Sequence, residues 1–95
     1  MNYILTKEAA RDLEKIWLYT VENWSIEQAD RYLNLLLDEF DYLCLKPNSG
    51  IDYGMIRKDY WRTKVNSHII FYKIKKNQIE IIRVLHEIMD IESHI

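Results

Sequence analysis

Residues 68–90 read HIIFYKIKKNQIEIIRVLHEIMD, and this stretch decides the fold. Two runs rich in Ile, Phe, Tyr and Val, which are typical of β-strands, flank the polar turn 75–78. The pattern predicts a β-hairpin whose second strand ends in Arg83 and His86. An arginine and a histidine at one edge of a sheet form a surface suited to an anion or an acidic partner.

The second strand of this hairpin carries apolar residues on both faces, which predicts a central position in the sheet. Because side chains alternate along a strand, neighbouring residues of this strand are expected to point to opposite faces of the sheet. One face is expected to carry Ile79, Ile81 and Arg83, and the other Glu80, Ile82 and Val84. A weaker strand pattern covers residues 55–65, and residues 2–5 form a short β-like start.

Two helices are predicted before the sheet. Thr6 is a suitable N-cap for a first helix that runs to about Asn23, and Ser25 with Gln28 forms a capping box for a second. Pro47 ends the second helix. The predicted buried lines are Ala9, Leu13, Ile16 and Thr20 in the first helix and Ala29, Leu33, Leu36, Phe40 and Leu43 in the second.

These elements predict an α+β fold in the order β-α-α-β-β-β. The short junction at Trp24 and Ser25 predicts a helical hairpin, and an antiparallel sheet of three to four strands is expected to cover its apolar face. The 95 residues are expected to form a single domain, 1–95.

Composition excludes several functional classes. One cysteine, Cys44, permits no internal disulfide, and no apolar run or signal-peptide pattern is present, so we expect a cytoplasmic protein. Three scattered histidines and two glycines predict no metal site, no phosphate loop and no cofactor. Charge is uneven: residues 1–46 carry −4, residues 57–86 carry +6 and residues 87–95 carry −3. Such a field can orient a partner.

The ordered set of motifs resembles the ParE toxins of the RelE/ParE superfamily over essentially the whole chain. The motifs are LTKEAARDL at residues 5–13, WSIEQA at 24–29, YWRT at 60–63, HIIFY at 68–72 and RVLH at 83–86, followed by Met89 and Asp90. This resemblance implies a bacterial toxin–antitoxin module. It further implies a toxin that inhibits DNA gyrase by protein–protein binding, without catalysis, and that a ParD-like antitoxin neutralises.

Two other functions stay open. The RelE branch shares the fold and cleaves ribosome-bound messenger RNA without a metal, and Arg57, Arg62, Arg83 and His86 are the groups available for that chemistry. The tail at residues 87–95 lacks the tyrosine expected of the nuclease branch and is acidic, which disfavours a phosphate backbone. The third possibility is a relative that only binds its antitoxin.

The resemblance and the surplus of aromatic residues define two candidate surfaces. The predicted gyrase-binding residues are Tyr60, Trp61, Arg62, Arg83, His86, Met89 and Asp90. The predicted antitoxin-binding residues are Trp17, Leu18, Val21, Trp24, Leu35 and Arg57. Arg83 has an alternative structural role, in which it pairs with a carboxylate such as Asp90 or Glu80. No catalytic or metal-binding residue, no membrane contact and no sequence-specific nucleic-acid contact is predicted.

Overall fold

The computed structural model describes all residues from Met1 to Ile95. Its elements are β1 (Asn2–Leu5), α1 (Lys7–Asn23), α2 (Ile26–Leu45), β2 (Ile51–Asp52), β3 (Trp61–Val65), β4 (His68–Lys75) and β5 (Gln78–His86). Short 3₁₀ turns occupy Pro47–Ser49 and Ile91–Ser93. The predicted α+β architecture and order of elements are confirmed, with one additional two-residue strand, β2.

The sheet has five strands in the order β1-β5-β4-β3-β2, which exceeds the three to four expected. β1 pairs with β5 in parallel, whereas all other neighbours are antiparallel. The strand predicted at residues 55–65 is shorter, because turns precede Trp61 and Asp59 has a positive φ of 66°. The helical hairpin follows β1 in the sequence and precedes all the other strands. It forms part of the long crossover connection that the parallel strands β1 and β5 require.

Both predicted N-caps are present. The Thr6 hydroxyl accepts a hydrogen bond from the Ala9 amide at 3.0 Å, and the Ser25 hydroxyl accepts one from the Gln28 amide at 3.0 Å. Each cap satisfies an amide that has no partner within its helix. The two caps therefore fix where α1 and α2 begin, and with them the tight junction of the hairpin.

The main core lies between the helices and one face of the sheet. Helix residues Leu36, Phe40 and Leu43 are fully buried there, as the predicted line of α2 requires. They pack with buried sheet residues Ile70, Tyr72, Ile79, Ile81 and Val84. Burying side chains of this size contributes roughly 1.5–3 kcal/mol each, so this layer provides most of the apolar stabilisation.

A β-bulge changes the predicted faces of β5. Tyr72 lies opposite Ile81, but its neighbour Phe71 lies opposite Arg83, so Ile82 is an extra residue in the ladder. Val84 consequently joins the helix-side core with Ile81. The prediction that Arg83 shares a face with Ile79 and Ile81, and that Val84 opposes them, was wrong, because strict alternation fails at a bulge.

The sheet face away from the helices, here called the open face, has a second and smaller cluster. Tyr60, Phe71 and Leu85 are its buried residues. Partly buried Ile91 and Ile95 of the C-terminal segment pack against it. No helix residue of α1 or α2 belongs to this cluster, so the sheet presents two chemically different faces.

Tyr72 links the core to the turn after α2. Its hydroxyl donates to the Pro47 carbonyl at 2.8 Å and accepts from the Gly50 amide at 3.2 Å. A Cβ at position 50 would lie 2.6 Å from the Arg62 carbonyl oxygen, so only glycine fits at this approach. The hydroxyl therefore holds the turn against β3.

We predict that Tyr72→Phe lowers the free energy of unfolding by about 1–3 kcal/mol, because a partly buried carbonyl and amide lose their partner. Urea denaturation of the purified chain measures this. Tyr19→Phe is the matched control, since the Tyr19 side chain is 65% exposed and makes no comparable contact. Equal stability of the two variants would contradict the role of the hydroxyl.

Candidate binding groove

A groove of about 680 Å³ opens between the helical hairpin and the ends of β4 and β5. Its helical wall includes Ile16 and Tyr19 of α1, with Trp24 at the junction. The opposite wall includes His86 and Met89 at the end of β5. Trp24 is 69% exposed and Tyr19 is 65% exposed, so large apolar surfaces face solvent beside this groove. Exposed aromatic surface concentrated at a concave site is typical of a protein-binding surface.

A salt bridge forms the floor of the groove. Asp12 Oδ2 accepts from Arg83 Nε at 2.8 Å, and Asp12 Oδ1 accepts from Arg83 Nη2 at 2.9 Å. Arg83 Nη1 also donates to the His94 carbonyl at 2.8 Å. Hydrogen bonding to Asp12 is the main reason that the pKa of Arg83 is raised above its ordinary value. Arg83 therefore has the structural pairing that was left open, but its partner is Asp12 and not Asp90 or Glu80.

Asp12 also completes the edge of β5. β1 pairs with β5 only as far as Ile81, which leaves the following part of that edge without a strand neighbour. The Thr6 hydroxyl donates to the Ile82 carbonyl at 2.7 Å, and Asp12 Oδ2 accepts from the Val84 amide at 2.9 Å. Side chains from the start of α1 thus replace the missing strand, which satisfies backbone groups that are costly to bury unpaired.

Three further polar residues lie together at the β4 end of the groove. The Tyr32 hydroxyl is 2.5 Å from His68 Nδ1, and the rings of His68 and His86 meet edge to face at 5.1 Å. Burial, followed by the neighbouring His86, lowers the pKa of His68 to about 4. His86 Nδ1 accepts from the Ile88 amide at 3.2 Å. These contacts hold both imidazoles in place, and His68 stays neutral at neutral pH.

The structure divides the predicted gyrase-binding residues among three places. Arg83, His86 and Met89 line the groove, and Asp90 follows as an exposed residue outside its lining. Trp61 packs on the helix side of the sheet, with its ring 6.4 Å from that of Tyr72. The remaining two, Tyr60 and Arg62, are found with open-face residues.

The predicted antitoxin-binding residues are also separated. Trp24 lines the groove, whereas Trp17, Leu18, Val21 and Leu35 do not. Trp17 Nε1 donates to Asp30 Oδ1 at 2.9 Å, which ties the two helices together at an exposed position. Leu18 and Leu35 are exposed, and Val21 is half-buried. Arg57 lies near Tyr60, away from the groove.

Three cations, here called the cationic patch, gather at the open face: Arg57, Arg62 and Lys73. The Arg57 guanidinium is 5.8 Å from the Tyr60 ring centroid, and Lys73 Nζ is 5.3 Å from the same ring. The Arg62 guanidinium is 5.6 Å from the ring of Tyr53. None of the three forms an ion pair, although the side chains of other open-face lysines do.

Sequence reasoning missed the groove residue Asp12 and the patch residue Lys73 as site components. Asp12 had a readable signal: it falls between Ala9 and Leu13 within the apolar stripe of α1, where a buried carboxylate requires a partner. Lys73 has no local signal of this kind, because only the strand register brings it beside Tyr60.

No helix of the chain is both long enough and apolar enough to cross a bilayer. The side chains also form no group of three or more His, Cys, Asp or Glu with the arrangement of a metal site.

Comparison with known proteins places the chain among the toxins of type II toxin–antitoxin systems. Residues 3–91 match the family described as ParE toxin of type II toxin-antitoxin system, parDE, and the chain belongs to this family. It is 33% identical to Toxin ParE1 of Mycobacterium tuberculosis over 95 residues, covering 99% of this chain and 97% of the relative. It is 34% identical to Toxin ParE1 of Caulobacter vibrioides over 93 residues, covering 98% and 96% respectively.

A solved structure supports the fold independently. The chain superposes with a TM-score of 0.78 on a chain of the chromosomal ParDE TA system from P. aeruginosa. The match covers 90% of this chain and 95% of that one, at 19% sequence identity. Identity at this level supports the architecture, while membership of the toxin family rests on the sequence matches.

We predict that Asp12→Ala lowers the free energy of unfolding by roughly 3 kcal/mol, because Arg83 and the Val84 amide lose their shared partner. Urea denaturation measures the change. Glu14→Ala, at an exposed position of the same helix, is the control and is expected to stay within about 0.5 kcal/mol of the parent. Similar losses for both variants would show that the pair has no special role.

The lowered pKa of His68 predicts a pH dependence of stability. Its ordinary value is 6.5 and its value in the folded chain is about 4, so the unfolded chain binds more protons between these limits. Stability is therefore fully present above pH 6.5 and is lost as the pH falls toward 4. Thermal unfolding at several pH values measures this, and His68→Gln should reduce the slope. An unchanged slope in that variant would assign the dependence to other groups.

Proposed function

We propose that this toxin inhibits DNA gyrase by binding to it, without catalysing a reaction, and that a ParD-like antitoxin neutralises it. Membership of the ParE family supports this proposal. The expected setting is the cytoplasm, where gyrase and its DNA are found, and the free thiol of Cys44 is compatible with a reducing compartment.

The state of Arg83 is the observation that supports binding over catalysis: of the four candidate groups for cleavage, Arg57 and Arg62 form no ion pair, but Arg83 does. A metal-free ribonuclease needs free cations to hold the scissile phosphate and to stabilise the charged transition state. Arg83 is instead neutralised by a bidentate pair with Asp12, and its Nη1 also donates to the His94 carbonyl. Removing it from this pair would leave a carboxylate that is 7% exposed without its cation.

The groove is our proposed antitoxin site. Trp24, Tyr19 and Met89 offer exposed apolar surface along it, and an amphipathic segment of an antitoxin can cover such surface. His86 and Met89, which were predicted to face gyrase, lie in the same groove as Trp24. A single bound antitoxin segment would thus cover residues of both predicted sets. We propose that neutralisation results from this overlap, because gyrase and antitoxin compete for one surface.

Two assays on the purified, antitoxin-free toxin test the proposed activity. The first follows supercoiling of relaxed plasmid by gyrase, and the second follows messenger RNA cleavage on translating ribosomes. We expect inhibited supercoiling and intact RNA. A ParD-like antitoxin added at equal concentration should restore supercoiling.

Each alternative has its own result in these assays. Cleaved RNA with normal supercoiling would overturn the proposal and assign the chain to the ribonuclease branch. Normal supercoiling with intact RNA, from toxin that is folded by circular dichroism, would instead indicate a relative that only binds its antitoxin. If the toxin inhibits gyrase only at concentrations comparable to that of gyrase, and inhibition is lost on further dilution, the result would support binding and not catalysis.

We predict that Trp24→Ala weakens antitoxin binding by about 30-fold, corresponding to a hot-spot loss of roughly 2 kcal/mol. Isothermal titration calorimetry with the ParD-like antitoxin measures this. Tyr42→Ala is the matched control, because Tyr42 is an exposed aromatic residue of α2 that does not line the groove. The earlier expectation for Trp17 is tested by Trp17→Ala in the same series. Loss of binding in the Tyr42 variant alone would place the antitoxin elsewhere.

A further inference from the structure

The cationic patch is unusual because its charges lack partners. Lys64 pairs with Glu87 at 2.8 Å, and Lys75 lies 4.0 Å from Glu80, so the carboxylates nearest to those strands are already engaged. Arg57, Arg62 and Lys73 have no carboxylate within ion-pair distance. Arg62 Nε is in addition buried without a hydrogen-bond partner. Glu80 lies opposite Lys73 in the strand register, and Glu92 lines a pocket with Arg57, but neither forms an ion pair with these cations. The buried and unpaired Arg62 Nε in particular requires an explanation.

The surrounding tyrosines hold the cations but contribute little contact surface of their own. Tyr60, which lies near both Arg57 and Lys73, is only 6% exposed. Cations positioned over aromatic rings are favourably held by the ring quadrupole, and a guanidinium held in this way can still donate from its edge. The patch therefore offers ordered positive charge around a buried ring, and the pocket that Arg57 lines is small, about 300 Å³, and contains no aromatic residue.

That chemistry favours a polyanion over a protein segment. Tight binding of an acidic peptide depends on a few apolar or aromatic anchors that become buried, and the groove, not the patch, has the exposed aromatic surface for them. A phosphate backbone gains its affinity from cations and the release of counterions, and it needs no such anchor. Residues 87–95, which carry −3, pack against the open face through Ile91 and Ile95, so a polyanion would meet positive charge at the cationic patch and not across the whole face.

We propose that the open face binds the phosphate backbone of DNA through Arg57, Arg62 and Lys73, without reading base sequence. This inference rests on the proposed function, because the target enzyme holds DNA and would present phosphates beside a bound toxin. The groove and the cationic patch then have separate roles: the groove contacts protein, and the patch contacts the nucleic acid that the protein holds.

Fluorescence anisotropy with a labelled DNA duplex of about 20 base pairs tests this, using two unrelated sequences. Three phosphate contacts predict a slope of about −2.7 for log K against log salt, or roughly 40-fold weaker binding at 200 mM than at 50 mM salt. Both sequences should bind equally, because backbone contacts carry no sequence information.

Charge-removing variants locate the site. Arg57→Gln and Lys73→Gln should each reduce the magnitude of the salt slope by about one. Arg31→Gln and Lys7→Gln remove the same charges from α2 and α1, away from the open face, and should leave the slope unchanged. Circular dichroism of each variant confirms that it is folded. No binding at 50 mM salt, or equal effects of patch and control variants, would overturn the inference.

Further results distinguish DNA binding by the patch from binding of an acidic protein and from inhibition of gyrase. Binding of poly-glutamate but not DNA, with the same dependence on Arg57 and Lys73, would overturn the inference in favour of an acidic protein partner. Supercoiling inhibition by a toxin that does not bind DNA would overturn the DNA contact and leave the proposed gyrase target standing. DNA binding through the patch, with gyrase uninhibited, would support the contact while the gyrase proposal fails.

Discussion

The bidentate pair between Asp12 and Arg83 joins two residues that are 71 positions apart in the sequence. The placement of the helices on the sheet depends on this pair. One carboxylate holds a guanidinium and also accepts from the Val84 amide, so the start of α1 is fixed to the end of β5. A pair with little solvent exposure is costly to break, even where its net stabilisation is modest. Its main consequence is geometric, because it positions the helical hairpin over the sheet and forms the floor of the groove.

The bulge at Ile82 makes this arrangement possible. With an extra residue in β5, Val84 enters the core beside Ile81, and Arg83 is directed to the uncovered edge where Asp12 meets it. The same sheet thus has a helix-covered face and an open face with different charge. A groove and a cationic patch can coexist on so short a chain because the groove lies where the ends of β4 and β5 meet the helices, and the patch lies around Tyr53 and Tyr60.

Local sequence signals predicted most of the fold. The caps at Thr6 and Ser25, the apolar lines of the helices and the β-rich run at 68–86 depend on neighbouring residues, and the structure contains them. The bulge could not be predicted, because it depends on the pairing of β4 with β5. For the same reason the partner of Arg83 was misassigned to nearby carboxylates, and Trp61 was assigned to a binding surface although it packs on the helix side. Which of the site residues lie together also depends on the strand register, which local sequence signals do not contain.

We propose that the antitoxin occupies the groove that Asp12 and Arg83 line. Hydrogen–deuterium exchange of the toxin, alone and bound to a ParD-like antitoxin, tests it most directly. Protection should concentrate in peptides covering residues 16–28 and 84–89, which include both walls of the groove. Protection confined to peptides of the open face, such as residues 53–62, with unchanged exchange at 16–28 and 84–89, would contradict the claim.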